Sequence, residues 1–237
     1  MRILALETSA VTASVAVTED ERLLAQSFQN SGLTHSATLM PMAADLLKNA
    51  GLTLDGMDVI AVAAGPGSFT GVRIGVAAAK GLAWKDNKPC APCSTLASMA
   101  WGVAHMGGEI CAVMDARRDQ VYNARFRAEG GRLTRLTPDR AIALPELLTE
   151  LEREGSAPVL VGDGAALCRP AFDRAGVPYV TAPPHLTYQT AWGVAKEALE
   201  LAQSGGLVAA DALVPQYHRL SQAERERLER EQKREHP

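Results

Sequence analysis

Hydrophobic positions near the start of the chain fall into three short runs, "RILALETSA", "ASVAVTED" and "RLLAQSFQ", separated by polar, turn-like pieces. Runs of this length and composition predict strands. From Thr34 to Ala50 the apolar spacing becomes helical, and the strand "DVIAVAA", a Gly-rich loop and a second helix follow. The order is β-β-β-α-β-α. From Gly108 it returns: "EICAVMDA", "QVYNARFRA" and "RLTRLTP" predict strands, "LPELLTELERE" a helix, "PVLVGDG" a strand and "AALCRPAFDRAG" a helix. A last helix is predicted from Thr187 to Ser204, after the Pro-rich "VPYVTAPPH". The fold class expected is α/β, built from two halves of one plan: 1–107, carrying the Gly-rich loop, and 108–220, divided where "HMGGE" breaks the pattern. Residues 221–237 alternate acid and base with almost no apolar positions and predict a charged, flexible tail.

One helix departs from the usual amphipathic pattern. Along "VRIGVAAAKGLAW", Val72, Val76, Ala79 and Ala83 form one stripe, while Ile74, Ala77, Ala78, Gly81 and Leu82 fill most of the rest. A helix apolar on nearly all sides must be covered on nearly all sides, and a sheet covers one. The preceding helix carries Leu39, Ala43, Leu46, Leu47 and Ala50 at helical spacing, with Met40 and Met42 beside them. Both helices could be internal core. The stronger expectation is an exposed two-helix patch, with Leu39, Ala43, Leu46, Val72, Val76, Ala79 and Ala83 as interface residues, pairing with itself or with a related subunit as a four-helix contact.

Composition narrows the function classes. With 24 Lys and Arg against 27 Asp and Glu, the net charge is -3, so the chain has no excess of basic residues with which to grip nucleic acid. No run approaches the length of a membrane span, and Glu7 interrupts the apolar start, so a cytoplasmic protein that does not engage a membrane is expected. "PCAPC" spells C-x-x-C, but no second pair stands at zinc spacing, and Pro89 and Pro92 place it in an extended connection. Apolar packing is the expected role of Cys90, Cys93, Cys111 and Cys168.

The loop "GPGSFTG" invites comparison with phosphate cradles. Counted from Gly65, a Walker A motif would need Gly at position 70 and Lys directly after it; Thr70 and Gly71 stand there. The dinucleotide pattern G-x-G-x-x-G fails as well, because Gly71 comes one place late. Even so, Gly65, Gly67 and Gly71 permit close backbone approach, and Ser68 or Thr70 can cap the helix, so an anion at its N-terminus and a tight, unliganded turn both remain open.

The spelling of the loop is more specific than its form. "GPGSFTGVRIG" with "AKGLA", preceded by "ILALETS" and followed by "MDARRDQVY", "GDG" and "PQYHR", closely resembles the bacterial TsaB family, also called YeaZ, across most of the chain. The resemblance implies an actin-like ATPase (ASKHA) fold of two ribonuclease H-like halves. In that superfamily the turn after the first strand approaches phosphate, which points to Glu7, Thr8 and Ser9, with Gly65, Gly67, Ser68, Thr70 and Gly71 of the loop and Arg117 and Arg118 of the second half as nucleotide-binding candidates. For Arg117 and Arg118, structural pairing with Asp115 or Asp119 is the stronger expectation.

The same resemblance implies partnership in tRNA modification. The related subunit TsaD holds its metal through two histidines at i, i+4; here His35 is present but position 39 is Leu39, so neither a metal site nor a catalytic residue is assigned. The expected role is a non-catalytic subunit. It binds TsaD and, with the ATPase TsaE, supports transfer of threonylcarbamoyl to the adenosine next to the anticodon in tRNAs reading codons that begin with A. A homodimer is expected without TsaD, tRNA contact only through the complex, no cofactor held stably by the chain alone, and ATP or ADP at a subunit junction if anywhere. The alternative is an ATP-dependent transferase or metallopeptidase in its own right.

Overall fold

The computed structural model describes residues 1–219; the charged-tail expectation falls outside the described residues. The first sheet is built on β1 (Arg2–Glu7), with β2 (Ala13–Glu19) and β3 (Arg22–Gln29) antiparallel on one side. After α1 (His35–Asn49), strand β4 (Val59–Gly65) lies parallel to β1; after α2 (Phe69–Trp84), β5 (Cys90–Ser94) lies parallel to β4. The order is β3-β2-β1-β4-β5, and α3 (Thr95–Val103) closes the unit.

The second half repeats this arrangement. Strand β6 (Gly108–Asp115) takes the place of β1, and β7 (Gln120–Glu129) pairs antiparallel with it. Both β8 (Arg132–Arg135) and β9 (Arg140–Ala143) pair with β7. Beyond α4 (Leu144–Glu154), β10 (Val159–Val161) runs parallel to β6; beyond α5 (Ala165–Ala175), β11 (Val180–Thr181) runs parallel to β10. The closing helix, α6, spans Ala191–Ser204 rather than starting at Thr187, because the Thr190 hydroxyl accepts from the Gly193 amide and sets the first turn there.

Strand periodicity explains how the layers are covered. Leu4, Leu6, Val15, Val17, Ile60 and Val62 point to one face of the first sheet and pack under α1 and α2. Ile3, Ala5, Ala16, Ala61 and Ala63 point to the other, where small residues let a helix approach closely. That helix is α6, from the far end of the chain, through Ala191, Val194, Ala195 and Ala198. In the reciprocal arrangement, Leu96, Met99 and Ala100 of α3 pack against Ile110, Ala112, Met114 and Phe126 of the second sheet. Each half therefore lends its closing helix to the other. With both faces covered, the central strands are buried throughout, as their nearly unbroken apolar runs require.

Cys90 and Cys93, three apart on a strand, belong to clusters on opposite faces of the first sheet. All four cysteines are buried free thiols, and burial pushes Cys111 and Cys168 up to about 12. This is the packing role expected from the sequence.

Candidate functional site

The ends of β1 and β4 lie side by side, which brings Glu7, Thr8 and Ser9 directly beneath the Gly-rich loop. All three are fully buried. The Ser68 amide donates to the Ser9 carbonyl at 2.7 Å, and the Thr8 hydroxyl donates to the Gly71 carbonyl at 2.8 Å. A Cβ on Gly71 would lie 2.1 Å from the Thr8 carbonyl oxygen, and one on Gly67 would lie 2.4 Å from that of Ser9. Gly65 has φ +135, and its missing side chain leaves room for the Gln216 carbonyl. These glycines thus let backbone meet backbone. Ser68 caps α2 by accepting from the Gly71 amide, and Thr70 faces solvent.

Gly71→Ala tests this packing. The intruding methyl meets main chain, not a flexible side chain, so a loss of about 1–3 kcal/mol in denaturant unfolding is expected with the unfolding slope retained. An unchanged midpoint would show that the loop and turn separate freely.

The second half repeats the constellation in a polar form. Gly162–Gly164, at the end of β10, lies against the end of β6, with the Gly164 amide donating to the Val113 carbonyl. Arg117 and Arg118 are exposed and do not form the ion pairs weighed from sequence: Asp115 instead accepts from the Arg117 backbone amide at 2.6 Å. The buried Arg125 instead pairs with Glu109 and with the partly exposed Glu154.

Between the halves, Ala10, just after β1, packs against the second-half hydrophobic cluster. Glu7 senses the charge of Asp163 across this junction, and each carboxyl has a buried oxygen without a hydrogen-bond partner among the described residues. Burial lifts the Glu7 carboxyl from its ordinary 4.5 to about 7; hydrogen bonding from Ser9 opposes the rise and Asp163 adds to it. Burial, then the charge of Asp115, lifts Asp163 from 3.8 to about 6. Asp163 is absent from the sequence-derived candidates because "GDG" signals a turn without signalling which half its carboxylate faces.

His35 opens α1, and its Nε2 lies 2.7 Å from the Ala10 carbonyl, a bond that requires the proton on Nε2. Its place is to tie α1 to the turn after β1. Leu39 lies in the first-half core.

The interface residues inferred from sequence need correction. Leu39, Ala43, Leu46, Val72, Val76, Ala79 and Ala83 are all buried inside the first half, against the sheet. Since α2 is apolar on two stripes, periodicity locates the stripes but not which one meets the sheet. The outward stripe runs through Thr70, Arg73, Ala77, Gly81 and Trp84, flanked by half-buried Ile74, Ala78 and Leu82. Trp84 is 71% exposed and Met40 of α1 43%.

Two duplicated βββαβα halves define an actin-like ATPase (ASKHA) type of fold. Comparison with known proteins narrows this. The family model described as "TsaD: tRNA N6-adenosine threonylcarbamoyltransferase" matches residues 29–226. The Bacillus subtilis tRNA threonylcarbamoyladenosine biosynthesis protein TsaB is 32% identical over 97% of this chain and 99% of its own length. Its Escherichia coli counterpart is 35% identical over 69% of this chain and 72% of its own. YeaZ from Pseudomonas aeruginosa superposes with a TM-score of 0.77 at 27% identity, covering 91% of this chain and 99% of that one. The chain belongs to the TsaB family, also called YeaZ.

Proposed function

We propose that this chain is a non-catalytic subunit in the formation of N6-threonylcarbamoyladenosine in tRNA. It docks on TsaD and supports its transfer of threonylcarbamoyl to the adenosine next to the anticodon, with TsaE acting through the complex. The observation that carries this reading is the outward stripe of α2: a helix whose inner side is already sealed against the sheet still presents Ala77, Ala78, Gly81, Leu82 and Trp84 to solvent. Small residues flanked by larger apolar ones favour close approach of another helix, and a self-complementary face also permits a homodimer when TsaD is absent. The non-catalytic part of the reading is supported by the Gly-rich loop, whose glycines accommodate the chain's own carbonyls.

The test combines stoichiometry with modification. Mixed with the TsaD of the same organism, the chain is expected to give a one-to-one complex in light scattering at the expense of its self-dimer. Adding it to TsaD, TsaE, tRNA and the threonylcarbamoyl donor is expected to raise modified nucleoside well above the level without it. A chain that forms no complex at micromolar concentration, or hydrolyses ATP alone at about 1 per second, would rule the reading out.

A further inference from the structure

Residues 206–219 leave α6 and run back over the first half. Val208 and Cys90 exchange two backbone hydrogen bonds at the edge of the first sheet, and Leu213 is fully buried. The Gln216 amide donates to the Ala64 carbonyl at 2.7 Å. Tyr217 then stacks on Phe69, the first residue of α2, with ring centroids 4.7 Å apart, and Arg73 Nε donates to its hydroxyl at 2.7 Å. Two residues later the chain reaches the other half, where the Arg219 guanidinium donates to the carbonyls of Ala116 and Arg117.

The turn that Arg219 grips is unusual. Arg117, Arg118 and Asp119 have φ of 62, 55 and 57, three consecutive left-handed residues, none of them glycine. L-residues hold that conformation only where their surroundings fix it. Asp115 fixes it by accepting from the Arg117 amide, and Leu144 fixes it by donating to the Asp119 carbonyl. The Gln120 amide donates to the Arg117 carbonyl, and a further restraint, Arg219, comes from a segment anchored on the first half. At its other end Tyr217 is partly exposed and touches Arg73, a member of the outward stripe of α2.

We propose that Leu213–Arg219 is a latch coupling the outward face of α2 to the left-handed turn Arg117–Asp119, so that a protein seated on α2 sets how firmly the two halves hold together. Tyr217 is the anchor and Arg219 the catch. The identity of that protein as TsaD rests on the function proposed above, whereas the mechanical link rests only on the contacts within this chain.

Amide hydrogen exchange on the full-length chain, read by mass spectrometry, tests the link. Arg219→Ala is expected to speed exchange at 116–120 by about tenfold, the worth of one or two hydrogen bonds to a strained turn, and to leave 65–71 unchanged. Tyr217→Ala is expected to speed exchange at both sites, although it lies about a hundred residues from the turn in sequence; Tyr217→Phe, which keeps the stack, retains most of the protection. If Tyr217→Ala leaves the turn as in wild type, or if either variant loosens β1 and α6 equally, the segment is not a latch. Adding TsaD is expected to slow exchange at 116–120 in wild type but not in Arg219→Ala, and an equal response in both would overturn the coupling. TsaD that fails to bind wild type would refute the docking reading instead, leaving the isolated-chain measurements to decide the latch.

Discussion

Replacing Gly81 by arginine is expected to stabilise the folded monomer slightly while abolishing its association with TsaD and with itself. A Cβ at Gly81 would meet nothing within 4 Å, so the folded monomer has room for any side chain there. Removing glycine from a helix interior contributes about 0.5–1 kcal/mol, or a few degrees for a chain of this size. In a helix-on-helix contact the same substitution places a charged side chain where the partner backbone must approach, at a cost of several kcal/mol and about a hundredfold or more in affinity. Ala77→Arg, one turn earlier, should lose association in the same way but without the gain in melting temperature. Val76→Glu, on the buried stripe, is the contrasting control: it puts a charge into the first-half core and is expected to unfold the chain. Calorimetry and light scattering on the three variants suffice. A Gly81→Arg chain that is folded and still pairs with wild-type affinity would move the interface off α2, and one that aggregates would show the outward stripe to be covered in the monomer.

Glu7→Gln is expected to change how stability depends on pH, with its largest effect on the alkaline side. The folded-state carboxyl titrates at about 7 against an ordinary 4.5, so the folded protein holds this proton more tightly than the unfolded chain. The favourable contribution of the protonated group is therefore fully present below about 4.5 and is lost as pH rises to about 7. At 1.36 kcal/mol per tenfold change in proton affinity, wild type loses about 3 kcal/mol across that window. The substituted glutamine carries no titrating proton, and its carbonyl oxygen can still accept from the Ser9 amide. The variant should gain on wild type by about that amount between about pH 4.5 and about pH 8. Asp163, raised by burial to about 6, adds a slope of the same sign that Asp163→Asn removes. Urea midpoints at about pH 4.5 and about pH 8 provide the check, and a parallel pH dependence in wild type and Glu7→Gln would mean that Glu7 is ionised and solvated at neutral pH.

The short apolar runs around β1 and β4 and the helical spacing after Thr34 are enough to mark two βββαβα units, because a strand buried on both faces needs an apolar run that polar turns must interrupt. The spelling of the Gly65–Gly75 block carried the family, since close packing of Thr8 and Ser9 on the loop tolerates no side chain at Gly67 or Gly71. The sequence also marked α2 as a helix needing cover on two sides. Which side meets the sheet depended on how β4 hands the chain to the helix, an angle set by loop geometry; the interface residues read from the pattern were therefore those of the inner stripe.

Everything that joins distant parts of the chain was decided by tertiary structure alone. The exchange of α3 and α6 between the sheets follows from two faces with different side-chain sizes, leucine and valine under α1 and α2 and alanine under α6, and nothing local to α6 names its partner at the start of the chain. The same holds for the charge of Asp163 acting on Glu7 and for Arg219 reaching Ala116. Local patterning reports what a segment must bury; it does not report against what, because burial by the hydrophobic effect is non-directional and the choice among apolar surfaces is made by their shapes when the whole chain packs.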